Sequence, residues 1–306
     1  MEIVPASPGG PSLDAVIQDC RRRYAHSEET VLNALLESLS TGQAQALLAL
    51  REGRPVGAVV FSRRGEAGRI HLLHALPEAP EAWANLLAGA EEALTREGGL
   101  AEITASLAIL PETTLEETLR RQDYQFMLRA HLVLDLDAFH AQVALPAGYR
   151  LVAWQEQYLE QAAILVETVH RSAEDIALYP ELASVSGARR LLGRVLGGNF
   201  GTFDPALSPM ALAGGDALAG LCLAVWHGVL TGQGFILDLG VDPAHRRRGL
   251  GRALVVETAR AFRAAGAEAL GLAVTWTNRP ARHLYEGLGF RVEQRFCICQ
   301  KQPSGV

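Results

Sequence analysis

The chain has 306 residues, a formal net charge of −6, and 49% hydrophobic residues against 20% charged ones. This balance is typical of a globular protein, and the length predicts two domains, each large enough to bury its own core. The negative net charge disfavours a nucleic-acid partner, because phosphate backbones are bound through a basic excess.

No stretch of the sequence predicts a membrane segment or an export signal. The longest apolar run, Ala217 to Leu230, is interrupted by His227 and is shorter than the roughly 20 residues that span a bilayer. Residues 1–10 lack the basic start and apolar centre of a leader. The cysteines predict neither a disulfide framework nor a metal site; they are Cys20, Cys222, Cys297 and Cys299. We therefore expect a cytoplasmic protein with no membrane partner and no metal.

The first half of the chain alternates helical and strand-like patterns after a loose lead-in over residues 1–11. The predicted elements are two helices (13–24 and 28–39), a hairpin (46–51 and 56–61), a strand (69–76), a helix (81–96), a strand (101–107), a helix (112–121) and a long strand or strand pair (125–136).

The pattern then restarts after the turn at Pro146-Ala147-Gly148. The predicted elements are a strand (149–154), two helices (156–171 and 187–196), a hairpin (210–213 and 218–226), a strand (235–241), a helix (252–265), a strand (269–275), a helix (278–288) and one or two closing strands (290–299).

Both halves share one order of elements, which predicts an internal duplication at roughly 145 residues. We expect two similar α/β domains in tandem, each with a mixed, mostly antiparallel sheet flanked by helices. The predicted boundaries are 1–140 for the first domain, 141–147 for a linker and 148–306 for the second domain.

The stretch from Gly234 to Arg252 carries the strongest chemical signal. A short apolar strand ends at Asp242-Pro243, three arginines and two glycines follow, and a helix then begins. Such a helix start offers unpaired N–H groups and a positive dipole end, and Gly249 and Gly251 would let the backbone close on a phosphate. A dinucleotide-binding glycine motif is disfavoured because Leu254 stands where the third glycine belongs.

Two motifs in the second half resemble those of the GCN5-related N-acetyltransferase (GNAT) superfamily. The first is Arg246-Arg247-Arg248-Gly249-Leu250-Gly251 after Val241-Asp242-Pro243. The second is formed by Asn278, Ala281, Leu284, Tyr285, Gly289 and Phe290. The first half resembles the fold order without the motifs, so the chain is similar to tandem, mycothiol synthase-like acetyltransferases.

The resemblance implies acetyl-CoA as donor and an amine of a small molecule or a peptide N-terminus as acceptor. The pyrophosphate would lie on the amides of Arg246 to Arg252, with Arg248, Arg252 or Arg279 near the outer phosphates. The backbone of Leu239, Gly240 and Val241 would pair with the pantetheine arm and stabilise the oxyanion. Asn278 would contact the same arm, and Tyr285 would protonate the leaving thiolate.

Each of these residues also has a purely structural interpretation. Tyr285 can be a half-buried helix aromatic, and Asn278 can be an N-cap before Pro280, a role compatible with ligand binding.

The general base is not identified by the sequence. The positions where many members of the family carry it are apolar here: Phe235, Leu237 and Ala273. Alternation along the strand places Asp238 on the opposite face unless a bulge intervenes, so a structural contact is the favoured interpretation of Asp238. Other candidates are His170, Glu174, Asp175 and His227, and a water chain is a further alternative.

The first half has lost the glycines and the basic residues of the motif. With Leu76 matched to Val241, Ala84 and Leu86 stand where the glycines would be, and Glu78 and Glu81 add negative charge. We expect this domain to bind no CoA. His71 and His74 are interpreted as ordinary, partly buried histidines.

The leading hypothesis is an acetyl-CoA-dependent N-acetyltransferase, a monomer or homodimer. The alternative is a non-catalytic acyl-CoA-binding or regulatory protein, and an interaction protein has least support.

Overall fold

A computed structural model describes residues 1–6, 11–24, 28–108, 114–177, 179–228, 230 and 232–302 of the protein. The chain divides into two compact units. Unit 1 comprises Met1–Arg129 with Gln294–Val306, and unit 2 comprises Ala130–Glu293.

Unit 1 is a mixed sheet covered by helices on both faces. Its strands are β1 (Glu2–Pro5), β2 (Gln45–Arg51), β3 (Arg54–Arg64), β4 (Ala67–Ala75) and β5 (Glu102–Ala108). Its helices are α1 (Asp14–Arg23), α2 (Glu28–Ser40), α3 (Ala82–Thr95) and α4 (Leu115–Arg121). Strands β1 to β4 pair in chain order and antiparallel, whereas β5 pairs with β4 in parallel. One core holds α1 and α2 against the sheet, and a second holds α3 and α4.

Unit 2 repeats this architecture. Its strands are the second part of β6 (Gln125–Asp135), then β7 (Tyr149–Val152), β8 (Gly201–Phe203), β9 (Met210–Ala213), β10 (Ala217–His227), β11 (Gln233–Val241) and β12 (Ala269–Thr275), and the start of β13 (Arg291–Lys301). Its helices are α5 (Leu159–His170), α6 (Val185–Leu196), α7 (Leu250–Ala264) and α8 (Arg279–Glu286). The strand order is β6-β12-β11-β10-β9-β7, in which β11 pairs with β12 in parallel and β10 pairs antiparallel with β11 and β9, as β9 does with β7.

The helices of unit 2 lie on the two faces of its sheet. The core on one face contains α5 and α6, and the core on the other contains α7 and α8. Helix α7 buries Leu250, Leu254 and Phe262, which recur at helical spacing, and its C-terminal end is followed by Gly266 with a φ of 88°. The predicted fold class, two α/β units with mostly antiparallel sheets flanked by helices, is confirmed.

The structure divides the chain differently from the sequence-based boundaries. Residues Phe296–Lys301 of β13 pair antiparallel with β5, and Cys297 and Cys299 are buried in the core of unit 1. Ala130, Leu132, Leu134 and Leu136 are buried in the core of unit 2. The predicted linker, residues 141–147, packs Ala141, Val143 and Leu145 against that same core. The local apolar pattern of a strand does not specify its partner, so the prediction joined each strand to its neighbours in sequence.

The predicted loose lead-in is also wrong for residues 2–5. Glu2–Pro5 form strand β1, which pairs antiparallel with β2 from Glu2↔Leu50 to Pro5↔Leu47. Pro5 is tolerated because β1 is an edge strand of unit 1.

Neither a metal site nor a membrane span is present in the part of the chain that the structure describes. No group of three or more His, Cys, Asp or Glu side chains there could hold a metal ion. None of the described helices is both long and apolar enough to cross a bilayer.

Candidate active site

The central strand β11 contains a β-bulge. Leu223 and Ala224, neighbours on β10, pair with Asp238 and Ile236, so Leu237 is the extra residue. The bulge resets the alternation of side chains. Leu237 packs against the core that contains α5, Leu239 packs against the core that contains α7, and Asp238 bonds to His170 of α5. Asp238 therefore lies on the α5 face. Strict alternation along β11 predicted the opposite face, with a bulge as the exception.

A notch opens between β11 and β12. Their parallel register runs from Gln233↔Ala269 to Ile236↔Leu272, whereas β11 continues to Val241 and β12 to Thr275. The notch is defined here as the space between Leu237–Val241 and Ala273–Thr275. It lies at the carboxyl ends of parallel strands, a common location of ligand sites in α/β proteins. Leu239, Gly240 and Val241 form one side of it.

The loop after β11 leads into a helix start that is open to a ligand. Asp242 Oδ1 accepts from the amide of Ala244 at 2.8 Å, which fixes the turn at Pro243–His245. Gly249 has a φ of 89° and precedes α7, and the first intrahelical hydrogen bond runs from Ala253 N to Gly249 O at 3.0 Å. The amides of Leu250, Gly251 and Arg252 precede that bond and so have no partner within the helix.

The two glycines of this helix start leave free space around them. A Cβ at Gly249 would meet no atom within 4 Å, and a Cβ at Gly251 would be 3.5 Å from the nearest atom, in Leu284. The positive φ accounts for Gly249, but no packing contact requires glycine at position 251. A phosphate that approaches the helix backbone closely fits both positions.

The arginines of the loop are held by backbone and side-chain oxygens. Arg246 Nε donates to Val241 O at 3.0 Å, and Arg252 Nη1 donates to Gly287 O at 3.3 Å. Arg248 donates to the hydroxyl of Tyr149 at 3.1 Å and to Ala244 O at 3.4 Å. These contacts orient the guanidinium groups around the helix start, where each has further N–H donors for an anion. Arg247 has a φ of 63°, in the left-handed region.

The sequence did not indicate the contacts of Tyr149 and His131, two residues that interact with the loop after β11 and with β11 itself. The hydroxyl of Tyr149 also lies 2.9 Å from His245 Nδ1. His131 stacks on Phe235 with ring centroids 5.8 Å apart, and its Nδ1 lies 2.9 Å from Glu293 Oε2. No sequence signal marks either residue, because these contacts join segments that are distant in the sequence.

Helix α8 supplies the residues of the second motif. Asn278 Oδ1 accepts from the amide of Ala281 at 3.2 Å, so the N-cap interpretation holds. Tyr285 is buried, with its ring edge-to-face against Phe290 at 5.6 Å. Burial is the largest cause that raises the pKa of Tyr285 well above its usual range, followed by electrostatic interactions with Cys222 and Asp238. The hydroxyl keeps its proton at neutral pH, as that of an ordinary tyrosine also does.

Two of the candidate bases form a pair in the structure. His170 Nε2 lies 3.1 Å from Asp238 Oδ1, with 20% and 14% of the two side chains exposed.

The other candidates are engaged elsewhere. Glu174 accepts from the hydroxyl of Thr277. His227 accepts from the amide of Leu230 at 3.0 Å, and burial, followed by the charge of His131, lowers its pKa. The side chain of Asp175 lies outside the described residues.

Unit 1 lacks an open helix start at the corresponding place. Its N-cap residue, Glu81, has a φ of −67° and forms an ion pair with Arg51, and Trp83 is buried. Aligned by the starts of α3 and α7, Glu81 stands at the position of Gly249 and Trp83 at that of Gly251. This corrects the sequence-based match to Ala84 and Leu86, because the loop of unit 1, Leu76 to Glu81, is two residues shorter than Asp242 to Gly249.

Comparison with known proteins identifies the class to which this site belongs. Residues 177–290 match the model of the acetyltransferase (GNAT) family. This segment includes both motifs and lies within unit 2, so the similarity to the GNAT family is a similarity of unit 2.

Two solved structures extend the likeness to the whole fold. A GCN5-related N-acetyltransferase from Sphaerobacter thermophilus has a TM-score of 0.66 at 18% identity, and covers 99% of this chain and 97% of its own. A tandem GNAT protein from the clavulanic acid biosynthesis pathway has a TM-score of 0.53 at 18% identity, and covers 99% of both chains. The chain therefore has the fold of a tandem GNAT protein.

The curated relatives match over shorter segments. A mycothiol acetyltransferase of Kineococcus radiotolerans is 47% identical over 88 residues, which are 29% of this chain and 27% of that protein. A mycothiol acetyltransferase of Beutenbergia cavernae is 35% identical over 147 residues, 48% of this chain and 46% of that protein. A streptothricin acetyltransferase of Streptomyces lavendulae is 40% identical over 80 residues, 26% of this chain and 40% of that protein. The match thus spans less than half the length of each relative.

Proposed function

We propose that this protein is an acetyl-CoA-dependent N-acetyltransferase that acts on an amine of a small molecule or a peptide N-terminus. The observation that carries the proposal is the open start of α7, with Gly249 in the left-handed region and space beside Gly251 that no protein atom fills. This helix start directly follows the strand that borders the notch.

Each part of the site has a role in this proposal. The amides of Leu250, Gly251 and Arg252, with the guanidinium groups of Arg246, Arg247, Arg248 and Arg252, would bind the pyrophosphate and the outer phosphates. The backbone of Leu239, Gly240 and Val241 would hold the pantetheine arm in the notch, together with Asn278. Acetyl-CoA, when bound there, would supply the thioester that the amine attacks.

Two groups would stabilise the charges that develop during transfer. A backbone amide of β11, within Leu239–Val241, would donate to the oxygen of the acetyl group as it becomes negative. Tyr285 would donate its proton to the leaving sulfur. The support for this role is the position of Tyr285, which packs in the same core as Leu239 and Val241 of the notch.

The acceptor class rests on the relatives. Mycothiol acetyltransferases and a streptothricin acetyltransferase carry names that specify small-molecule acceptors. We therefore place a small-molecule amine ahead of a peptide N-terminus. Unit 1 would bind no CoA, since Glu81 and the buried Trp83 stand where unit 2 has its two glycines.

The test compares Gly249→Glu with Gly266→Glu in the full chain. The two glycines lie just before and just after α7, have φ values of 89° and 88°, and would both accept a Cβ with no atom within 4 Å. Both substitutions therefore carry a similar backbone strain of about 1–2 kcal/mol. Only Gly249→Glu places a carboxylate next to the proposed pyrophosphate, where repulsion costs about 1 kcal/mol or more.

Calorimetry with acetyl-CoA and CoASH release over an amine panel are the measurements. We expect amine-dependent release by the wild type, acetyl-CoA binding at least about tenfold weaker in Gly249→Glu, and near wild-type binding in Gly266→Glu. Equal affinity of the two variants would contradict the site. Acetyl-CoA binding without release for any amine would favour the alternative, a non-catalytic acyl-CoA-binding protein.

A further inference from the structure

We propose that Asp238 is the group that accepts the proton of the acceptor amine, and that His170 positions its carboxylate. The inference rests on the proposed function and deepens it, because it names a residue for the step that the strand positions Phe235, Leu237 and Ala273 leave without a base. It also implies that the amine approaches from the face of the sheet that packs against α5.

The first observation is the bulge at Leu237. It turns Asp238 to the α5 face, while the next residue, Leu239, faces the α7 side. The carboxylate is therefore one residue away from the backbone proposed to hold the acetyl oxygen, a separation of about 3.3 Å along a strand. A base on the α5 face at this level is adjacent to the carbon that the amine attacks.

The second observation is the hydrogen bond from α5. A carboxylate only accepts hydrogen bonds, so His170 Nε2 donates to Asp238 Oδ1 at 3.1 Å. The bond fixes one oxygen and leaves the second oxygen for the amine. Both side chains are partly exposed, at 20% and 14%, so solvent and a substrate can reach the pair.

The third observation relates Asp238 to the proposed proton donor. The charge of Asp238 is one of the causes that raise the pKa of Tyr285, so the two groups interact although they belong to different layers of unit 2. Asp238 lies on the α5 face of β11, and Tyr285 packs in the core on the α7 face. A proton acceptor and a proton donor thus flank the notch on opposite faces.

Asp238 interacts with groups on three elements. His170 of α5 contacts it directly, and its charge acts on Cys222 of β10 and Tyr285 of α8. Burial raises the pKa of the Cys222 thiol to about 12, so it stays neutral. The Cys222 thiol therefore does not compete with Asp238 for the proton of the amine.

The transfer balances with these two residues. The nitrogen of the neutral amine forms a bond to the acetyl carbon, and the proton that it sheds passes to Asp238. The bond between carbon and sulfur breaks, the electron pair leaves with sulfur, and the hydroxyl of Tyr285 supplies the proton that completes the thiol. Solvent then removes the proton from Asp238 and returns one to Tyr285.

The test uses Asp238→Asn, which keeps the shape and the acceptor for His170 but removes the charge and the basicity. Asp216→Asn is the matched control, because Asp216 is an exposed aspartate of the same unit that pairs with Arg150. We expect kcat to fall about 10²–10⁴-fold in Asp238→Asn, with the acetyl-CoA affinity unchanged and the control at wild-type rate.

A second readout does not depend on turnover. The amine that the wild type acetylates fastest is titrated calorimetrically into protein saturated with CoASH, which cannot react. We expect the amine to bind about tenfold or more weakly to Asp238→Asn, since a charge-assisted hydrogen bond to the carboxylate is lost.

The positioning role of His170 has its own comparison. His170→Ala removes the donor to Asp238, whereas His170→Gln retains an N–H donor. We expect kcat to fall about tenfold in the alanine variant and to recover in part in the glutamine variant, with little change in KM.

An unchanged kcat and an unchanged amine affinity in Asp238→Asn, with an active wild type, would overturn this inference alone. A wild type that releases no CoASH with any amine would overturn the proposed function and this inference with it.

Discussion

Each unit contains a hydrogen-bonded pair of an aspartate and a histidine, called the clamp below, and the two units place these two residues on opposite elements. In unit 1, Asp19 on α1 bonds to His74 on β4, with 2.9 Å between Asp19 Oδ2 and His74 Nε2. In unit 2, the histidine is on the helix and the aspartate on the strand, as His170 and Asp238. Each pair ties the first helix of its unit to the central strand of its sheet.

The two clamps differ in access. His74 and Asp19 are 0% and 8% exposed, and the hydroxyl of Tyr24 lies 2.9 Å from the second ring nitrogen of His74. His170 and Asp238 are 20% and 14% exposed and lie beside the notch. The same kind of contact is therefore buried and purely structural in unit 1, whereas in unit 2 it is accessible to solvent.

The strands that carry the two clamps share the same pairing pattern. In unit 1 the parallel register of β4 with β5 also covers four residue pairs, Ala67↔Glu102 to Ile70↔Ala105. A bulge follows it directly, with His71 as the extra residue, as Leu237 is in unit 2. What differs is the helix start, where Glu81 and Trp83 replace Gly249 and Gly251.

Helices α4 and α8 occupy corresponding places in the two units but differ at one residue of the proposed site. The amide of Tyr124 bonds to Leu119 O at 3.0 Å, and the amide of Phe290 bonds to Tyr285 O at 3.1 Å. Leu119 therefore stands where unit 2 has Tyr285, so unit 1 has the same backbone contact without a tyrosine at this position. His74 is buried and hydrogen-bonded, in agreement with its structural interpretation.

The largest effect expected from this comparison is on stability. Asp19→Ala removes a buried carboxylate that pairs with Arg22 and Arg23 and leaves His74 without its acceptor, so we expect a loss of about 3–5 kcal/mol in the free energy of unfolding of unit 1. Asp238→Ala breaks a partly exposed pair and should cost about 1 kcal/mol or less. Urea unfolding of the full chain measures both. Equal losses would contradict the distinction between a sealed and an open clamp.

A slightly smaller effect is expected on catalysis. Tyr285→Phe removes the proposed proton donor, so kcat should fall about 10²–10³-fold, with the acetyl-CoA affinity unchanged. Tyr124→Phe, the same substitution at a buried tyrosine of unit 1, is the control and should leave kcat unchanged. Steady-state CoASH release checks both, and a Tyr285→Phe enzyme with wild-type turnover would refute the assignment.

The smallest effect concerns pH. Burial lowers the pKa of His74. Below about pH 6.5, His74 therefore binds a proton more readily in the unfolded chain than in folded unit 1. Stability is then fully present above that pH and falls as the pH decreases, by at most about 1.4 kcal/mol per pH unit for this group.

Urea unfolding at pH 7 and pH 5.5 measures the slope, and His74→Gln should flatten it. An unchanged slope in that variant would assign the pH dependence elsewhere, for example to His71, whose pKa burial also lowers.

Much of the fold could be predicted because its signals are local. Helix α7 was expected at 252–265 and lies at Leu250–Ala264, and β12 was expected at 269–275 and lies at Ala269–Thr275. The glycines and the arginines around Gly249 define a turn and a helix start within one short segment, so spacing alone indicated an anion site.

The features that the sequence did not reveal depend on pairing between distant segments. The bulge at Leu237 is a matter of register between β10 and β11, and an apolar run reads the same with or without it. His170 and Asp238 were each considered separately, but the contact that makes them a pair joins residues 68 positions apart.

The position of β13 in unit 1 has a consequence for the order of folding during synthesis. A ribosome completes residues 130–293, and thus all of unit 2, before Phe296–Lys301 emerge to pair with β5. Until then the nascent unit 1 has an open edge on β5 and lacks Cys297 and Cys299 from its core. Translation usually lets the N-terminal unit fold first. Here the unit whose synthesis begins first is the last to be completed.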